Sequence, residues 1–164
     1  MPKLSFRELV FTRMFKKNYK DHISVCHQIV KEKTNEYQKI FNYGVFFFKK
    51  GRYESAINLF QSALESKDYP NLFASVSENL GRCYSSLGDY DTSIQYHKAS
   101  LTIQKEIKSR SGEATSLENL GNCYNSLGEY ETSIQYHKYS LKMQKDLKEK
   151  LFEMAQHSSL AMFT

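Results

Sequence analysis

Residues 117–140, LENLGNCYNSLGEYETSIQYHKYS, decide the fold, because residues 77–100 have already spelled them as SENLGRCYSSLGDYDTSIQYHKAS. Extended to 74–108 against 114–148, the two windows share about two thirds of their residues at a spacing of about 40. A more diverged copy lies about 37 residues upstream. There Gly44, Gly51, Tyr53, Ile57 and Leu64 stand where Gly81, Gly88, Tyr90, Ile94 and Leu101 stand later. A period of this length signals stacked units, each burying its apolar face against its neighbours.

Each unit reads as helix, tight turn, helix. Leu117, Leu120, Tyr124 and Leu127 recur every three or four residues and make one apolar stripe. Gly128 then ends the helix, because glycine enters positive φ at little cost. The second helix carries Tyr130, Ile134, Tyr136, His137, Leu141 and Leu147 at helical spacing. Gly121 with Ser133, Gly81 with Ser93, and Gly44 with Ala56 are small where paired helices must approach. A mid-helix glycine costs about 1 kcal/mol relative to alanine, so its recurrence at one position implies close packing.

The order Leu80-Gly81, Tyr84, Gly88, Tyr90, Ser93, His97, Ser100 resembles the tetratricopeptide-repeat (TPR) signature. Ser replaces a small Ala twice, and His replaces an aromatic. The first copy, with Gly44, Phe47, Gly51, Tyr53, Ala56, Phe60 and Ala63, is closer still. The resemblance covers residues 37 to 148. It implies an all-α fold, a right-handed superhelix in which antiparallel helix pairs form an α-solenoid. The last two units are also similar to the repeats of Pins-type G-protein signalling modulators, in their spacing and in the Asn-Leu-Gly-Asn run at 119 to 122. Repeats are expected over 36–70, 74–107 and 114–147. A basic, degenerate helix pair is expected over 1–35, and a C-terminal helix, a cap or truncated fourth repeat, over 150–164.

Charge and composition narrow the function. The net charge of +5 resides in the first 35 residues, which hold eight Lys or Arg against three Asp or Glu, while the remainder is balanced. The repeat body is therefore not a nucleic-acid surface. Four readings compete for the basic N-terminus: a degenerate cap, an organelle transit segment, a patch for a membrane surface or anionic partner, or a disordered tail. No apolar run approaches the roughly 18 residues that span a bilayer, and no secretion signal is visible, so a cytoplasmic location is expected. Cys83, Cys123, His97 and His137 are zinc-ligand types, but they recur only because the repeat recurs and lack clustered spacing; neither metal nor cofactor is expected. Every notable residue comes in twos or threes, whereas a catalytic site is singular, so no enzyme activity is expected.

The TPR resemblance implies that first helices line an inner wall and that Asn42, Asn79 and Asn119 face it. A carboxamide both donates and accepts, so three at one repeat position suit the main chain of an extended peptide. Asn on a solvated helix face is the plainer alternative. Around this ladder the wall is expected to present Lys49, Glu78, Arg82, Glu118, Asn122 and Asn125. The carboxylate clamp of chaperone-binding TPR proteins would need Lys, Asn and Arg where this chain has Phe41, Val45, Asn79, Thr115 and Asn119. One of the five fits, so a chaperone tail is not the expected target. The reading is an adaptor or scaffold that binds a peptide or helical segment of a larger protein. The alternative is a structural subunit or linker in a cytoskeletal, ciliary or assembly complex, using the apolar C-terminal end and self-associating through 151–163.

Overall fold

The computed structural model describes residues 22–160, and every regular element among them is helical. Helix α1 (His22–Lys49) pairs with α2 (Tyr53–Ala63), which ends in a 3₁₀ turn (Leu64–Asp68). Helix α3 (Pro70–Ser86) pairs with α4 (Tyr90–Glu106), and α5 (Arg110–Ser126) pairs with α6 (Tyr130–Leu160). Each helix packs on its sequence neighbours, while α1 touches α3 and α3 touches α5.

Local chemistry sets the element ends. Gly51, Gly88 and Gly128 hold φ of +71°, +84° and +80°, which lets the chain reverse within each pair. Pro70 occupies the first turn of α3, where its missing N–H removes nothing. Asp89 caps α4 by accepting from Thr92 N at 3.1 Å, and Ser109 caps α5 by accepting from Gly112 N at 3.3 Å.

Pairing depends on the small positions. Ser93 Oγ donates to the Gly81 carbonyl at 2.8 Å, Ser100 Oγ to that of Ala74 at 3.1 Å, and Ser140 Oγ to that of Ala114 at 2.8 Å. Serine thus does more than keep the interface thin: its hydroxyl ties one helix backbone to the next. In the second and third pairs two tyrosines stack nearly parallel, Tyr84 on Tyr96 at 5.5 Å and Tyr124 on Tyr136 at 5.4 Å. One continuous core gathers Ala56, Phe60, Leu72, Val76, Leu80 and Cys83, and a smaller one gathers Ile94, Leu120 and Cys123.

Two expected boundaries are absent. The division at 35/36 falls inside α1, which runs unbroken because neither glycine nor proline interrupts residues 22–43. Residues 1–21, the rest of the expected basic pair, lie outside the described residues. At the other end, no turn separates 147 from 150, and α6 continues to Leu160. The cause is local. After α4, Lys108 enters positive φ and Ser109 caps the next helix. At the matching place in α6, Glu149 replaces the capping serine and Phe152 replaces Gly112, and Glu149 pairs with Lys145 at 3.9 Å, one helical turn back within the continuing helix. Residues 161–164 lie outside the described residues.

Candidate binding wall

The first helices α1, α3 and α5 carry all nine residues expected on the inner wall. Asn42 on α1 is exposed, and its Oδ1 accepts from Gln38 Nε2 at 3.2 Å. Lys49, the last residue of α1, is exposed. On α3 the half-buried Asn79 donates through Nδ2 to the Ser75 carbonyl at 2.9 Å. Its Oδ1 accepts from Arg82 Nη1 at 3.3 Å. The Arg82 guanidinium lies 4.5 Å over the centroid of the Phe48 ring, so a cation from the second pair is seated on an aromatic of the first. Sequence reasoning misses Phe48. Only the α1–α3 contact reveals it, since its equivalents in the later copies are Ser85 and Asn125.

Helix α5 presents Asn122 and Asn125 to solvent with no side-chain partner among the described residues. Asn119 is half-buried and donates through Nδ2 to Glu78 Oε1. Glu118 is exposed and accepts from Gln144 Nε2 at 3.3 Å.

Glu78 occupies a different environment from the exposed wall residues. Its side chain is only 14% accessible and sits where α3, α4 and α5 meet. Its Oε2 accepts from Ser116 Oγ at 3.0 Å, its Oε1 accepts from Asn119, and His97 Nδ1 approaches Oε2 at 3.4 Å without hydrogen-bond geometry. Burial by itself pushes this carboxyl up. The contacts from His97, Ser116 and Asn119 together outweigh burial and hold it below the usual carboxylate range. Glu78 is therefore a clasp between consecutive units, and it takes one amide proton of the Asn ladder with it. The sequence held a signal for this: Ser116 and Asn119 follow Glu78 at a separation near one repeat period, whereas Gln156 and Ser159 follow Glu118.

Cys83, Cys123, His97 and His137 belong to the packing. Cys123 Sγ lies 3.1 Å from Ser93 Oγ, and burial pushes the Cys83 thiol up to about 11. His97 and His137 fill the space above Gly81 and Gly121. Among the described residues no three His, Cys, Asp or Glu side chains gather in a metal-binding group. No helix among them is long and apolar enough to cross a membrane.

Comparison with known proteins places this geometry. Residues 72–146 match one tetratricopeptide-repeat profile and residues 40–68 match another, between them more than half of the chain. The structure is similar to the TPR domain of Arabidopsis FLU, with a TM-score of 0.65 and 23% identity over 70% of this chain and 98% of that one. It is similar to the N-terminal domain of stress-induced protein-1 from C. elegans, with a TM-score of 0.60 and 17% identity over 71% of this chain and 94% of that one. It also resembles the TPR2AB domain of yeast Sti1 in its pHSP90 complex, with a TM-score of 0.60 and 20% identity over 78% of this chain and 51% of that one. A comparison with curated protein sequences finds no match. At these identities the structural likeness establishes the fold, an all-α solenoid of stacked helix pairs.

Proposed function

Because the chain belongs to the tetratricopeptide-repeat family, we propose that it is a protein–protein interaction adaptor that holds a peptide or helical segment of a larger protein against α1, α3 and α5. The observation that carries this reading is the row of exposed polar side chains on those helices, with Arg82 pre-oriented over Phe48 and Asn122 and Asn125 unengaged on α5. Holding a guanidinium on an aromatic face before the target arrives lowers the ordering entropy of binding. Asn42, Asn79 and Asn119 retain capacity for a peptide backbone, since a carboxamide has two donor protons and two lone pairs and each of these uses only part of them. Lys49 and Arg82 beside Glu118 favour a target with both charge signs.

Yeast Sti1, a similar structure, is described in complex with pHSP90. Its ligand does not transfer to this chain, where Phe41, Val45 and Thr115 occupy three of the five clamp positions. The proposed work is binding, with no chemical step. A second reading, a structural subunit, draws on the exposed Leu151, Phe152 and Met154 along the extension of α6.

The test begins with proteins captured from cell extract on the whole chain, followed by calorimetry on the target so found. Asn79→Ala with Asn119→Ala is expected to weaken binding by about tenfold, the loss of two ordinary hydrogen bonds. Asn119 also touches Glu78, so Asn122→Ala with Asn125→Ala serves as a pair free of that contact, and Ser116→Ala as a control that loosens the clasp alone. Unchanged affinity in both Asn pairs, with native circular dichroism, would remove the wall as the binding site.

A further inference from the structure

Among the described residues the outward faces of α1 and of the α5–α6 pair are exposed in complementary ways, and the interior of the stack shows what covers such faces. Ile94 on α4 is 7% accessible because α5 covers it, whereas its repeat equivalent Ile134 on α6 is 52% accessible. Leu101 is partly buried, while Leu141 is exposed. Glu78 is clasped by the next unit, while Glu118 faces solvent. The N-terminal end shows the converse. Leu80 and Leu120 are fully buried against the preceding second helix, but their equivalent Tyr43 is 62% accessible. Cys83 and Cys123 are buried, but their equivalent Phe46 is 53% accessible. These α1 residues, with Lys39, Asn42 and Phe47, line an open groove of about 710 Å³.

We propose that the α5–α6 end of one molecule docks on the α1 face of a second copy, repeating between chains the α4–α5 interface made within each chain. Repeat register predicts the contacts. Where Glu78 accepts from Ser116 and Asn119, Glu118 meets Lys39 and Asn42 of the second copy. Where Lys98 stands 5.9 Å over the Tyr124 ring, Lys138 stands over Phe47. Ile134 packs on Tyr43 and Phe46 as Ile94 packs on Leu120 and Cys123. The larger rings are accommodated because no covalent loop fixes the spacing between copies.

Charge selects this partner among the symmetric alternatives. Two α5–α6 ends, or two α1 faces, brought together would not bring the Glu118 carboxylate to the Lys39 ammonium. Only head-to-tail docking brings Lys39 to Glu118. Such an interface joins unlike surfaces and does not close on itself, so it generates open chains rather than a dimer. Glu118 and Asn42 also belong to the candidate wall, so the junction shares two residues with the peptide-binding reading, while Asn79, Arg82, Asn122 and Asn125 take no part in it. Self-association measured without any target therefore tests the junction alone.

Sedimentation of the full chain over a wide concentration range tests the proposal. The expected result is an average mass that rises past the dimer without a plateau and falls with added salt. Glu118→Lys and Lys39→Glu each place like charges across the junction and are expected to weaken association at least about tenfold. Mixed in equal amounts, the two variants present opposite charges at both junctions, and association is expected to return. Both residues are exposed, so native circular dichroism in each variant separates lost docking from lost fold. A monomer at every concentration overturns the proposal, as when the chain's own N-terminal segment covers α1. So does a closed dimer, or a mixture no better associated than its parts.

Discussion

Replacing Glu78 by Ala is expected to lower the unfolding free energy by about 3 kcal/mol at neutral pH, the scale of removing one member of a buried charged network. Asn119 would lose its acceptor, Ser116 would be left with the Ser100 hydroxyl, and His97 would lose its nearest charge, in a site that solvent reaches only in part. Glu78→Gln keeps an acceptor oxygen and is expected to cost about half as much. Glu118→Ala changes the same repeat position where the side chain is exposed, and stays within about 0.5 kcal/mol. Urea unfolding followed by circular dichroism measures all three. Equal losses for Glu78→Ala and Glu118→Ala would refute the clasp. The pH dependence has a definite sign. The Glu78 carboxyl titrates below its usual 4.5 when folded, so the folded chain binds fewer protons than the unfolded chain. The stabilisation is full above that value and is lost as pH falls through the lowered folded pKa. Glu78→Gln should flatten the wild-type decline in this acid window.

This contrast between Glu78 and Glu118 also marks what the amino-acid string disclosed. The helix pairs were legible because repetition multiplies weak signals: Gly51, Gly88 and Gly128 each punctuate a turn, and each adopts positive φ. So were the close approaches at Gly44, Gly81 and Gly121, since a costly residue recurs at one position. Context-dependent features were hidden. Ser109 caps a helix where Glu149 stands inside one, and the residues that follow, Arg110, Ser111 and Gly112 against Lys150, Leu151 and Phe152, differ as well. Ile134 and Leu141 read as core residues by periodicity, yet both are exposed, because no helix among the described residues covers that face of α6 as α5 covers Ile94. For the candidate wall, the helices that carry these residues were legible, but the engagement of their polar atoms was not. Asn79 bonds its own helix and Asn119 bonds Glu78, while Asn122 and Asn125 stand open. Periodicity shows which side a residue faces, and the packing of three helices determines whether its polar atoms are already taken.

Phe60 and Gly44 provide the largest expected effect and a test of why the glycine recurs. A Cβ added at Gly44 would lie 2.5 Å from Phe60 Cε1, within a fully buried ring that also meets Phe41 at 5.7 Å. Phe60→Ala is expected to destabilise by about 4 kcal/mol, the transfer of the ring plus the cavity it leaves. Gly44→Ala alone gains about 1 kcal/mol of helix propensity but forces the ring aside, for a net loss of about 1–2 kcal/mol. In the Phe60→Ala background the obstruction is gone, and the same Gly44→Ala change is expected to stabilise by about 1 kcal/mol. The double-mutant cycle therefore carries a coupling of about 2–3 kcal/mol with a reversal of sign. If Gly44→Ala has one effect in both backgrounds, the glycine serves something other than the ring. The later copies extend the argument with the histidine that replaces the aromatic. His97 is sealed at 1% accessibility above Gly81, whereas His137 above Gly121 is only partly buried beside the open end. A methyl meets the ring at 2.7 Å in the first case and 2.8 Å in the second, so distance alone predicts equal losses. The freedom of His137 to swing outward predicts that Gly121→Ala costs less than Gly81→Ala, and urea midpoints in the opposite order would show that the C-terminal pair is packed as tightly as the interior.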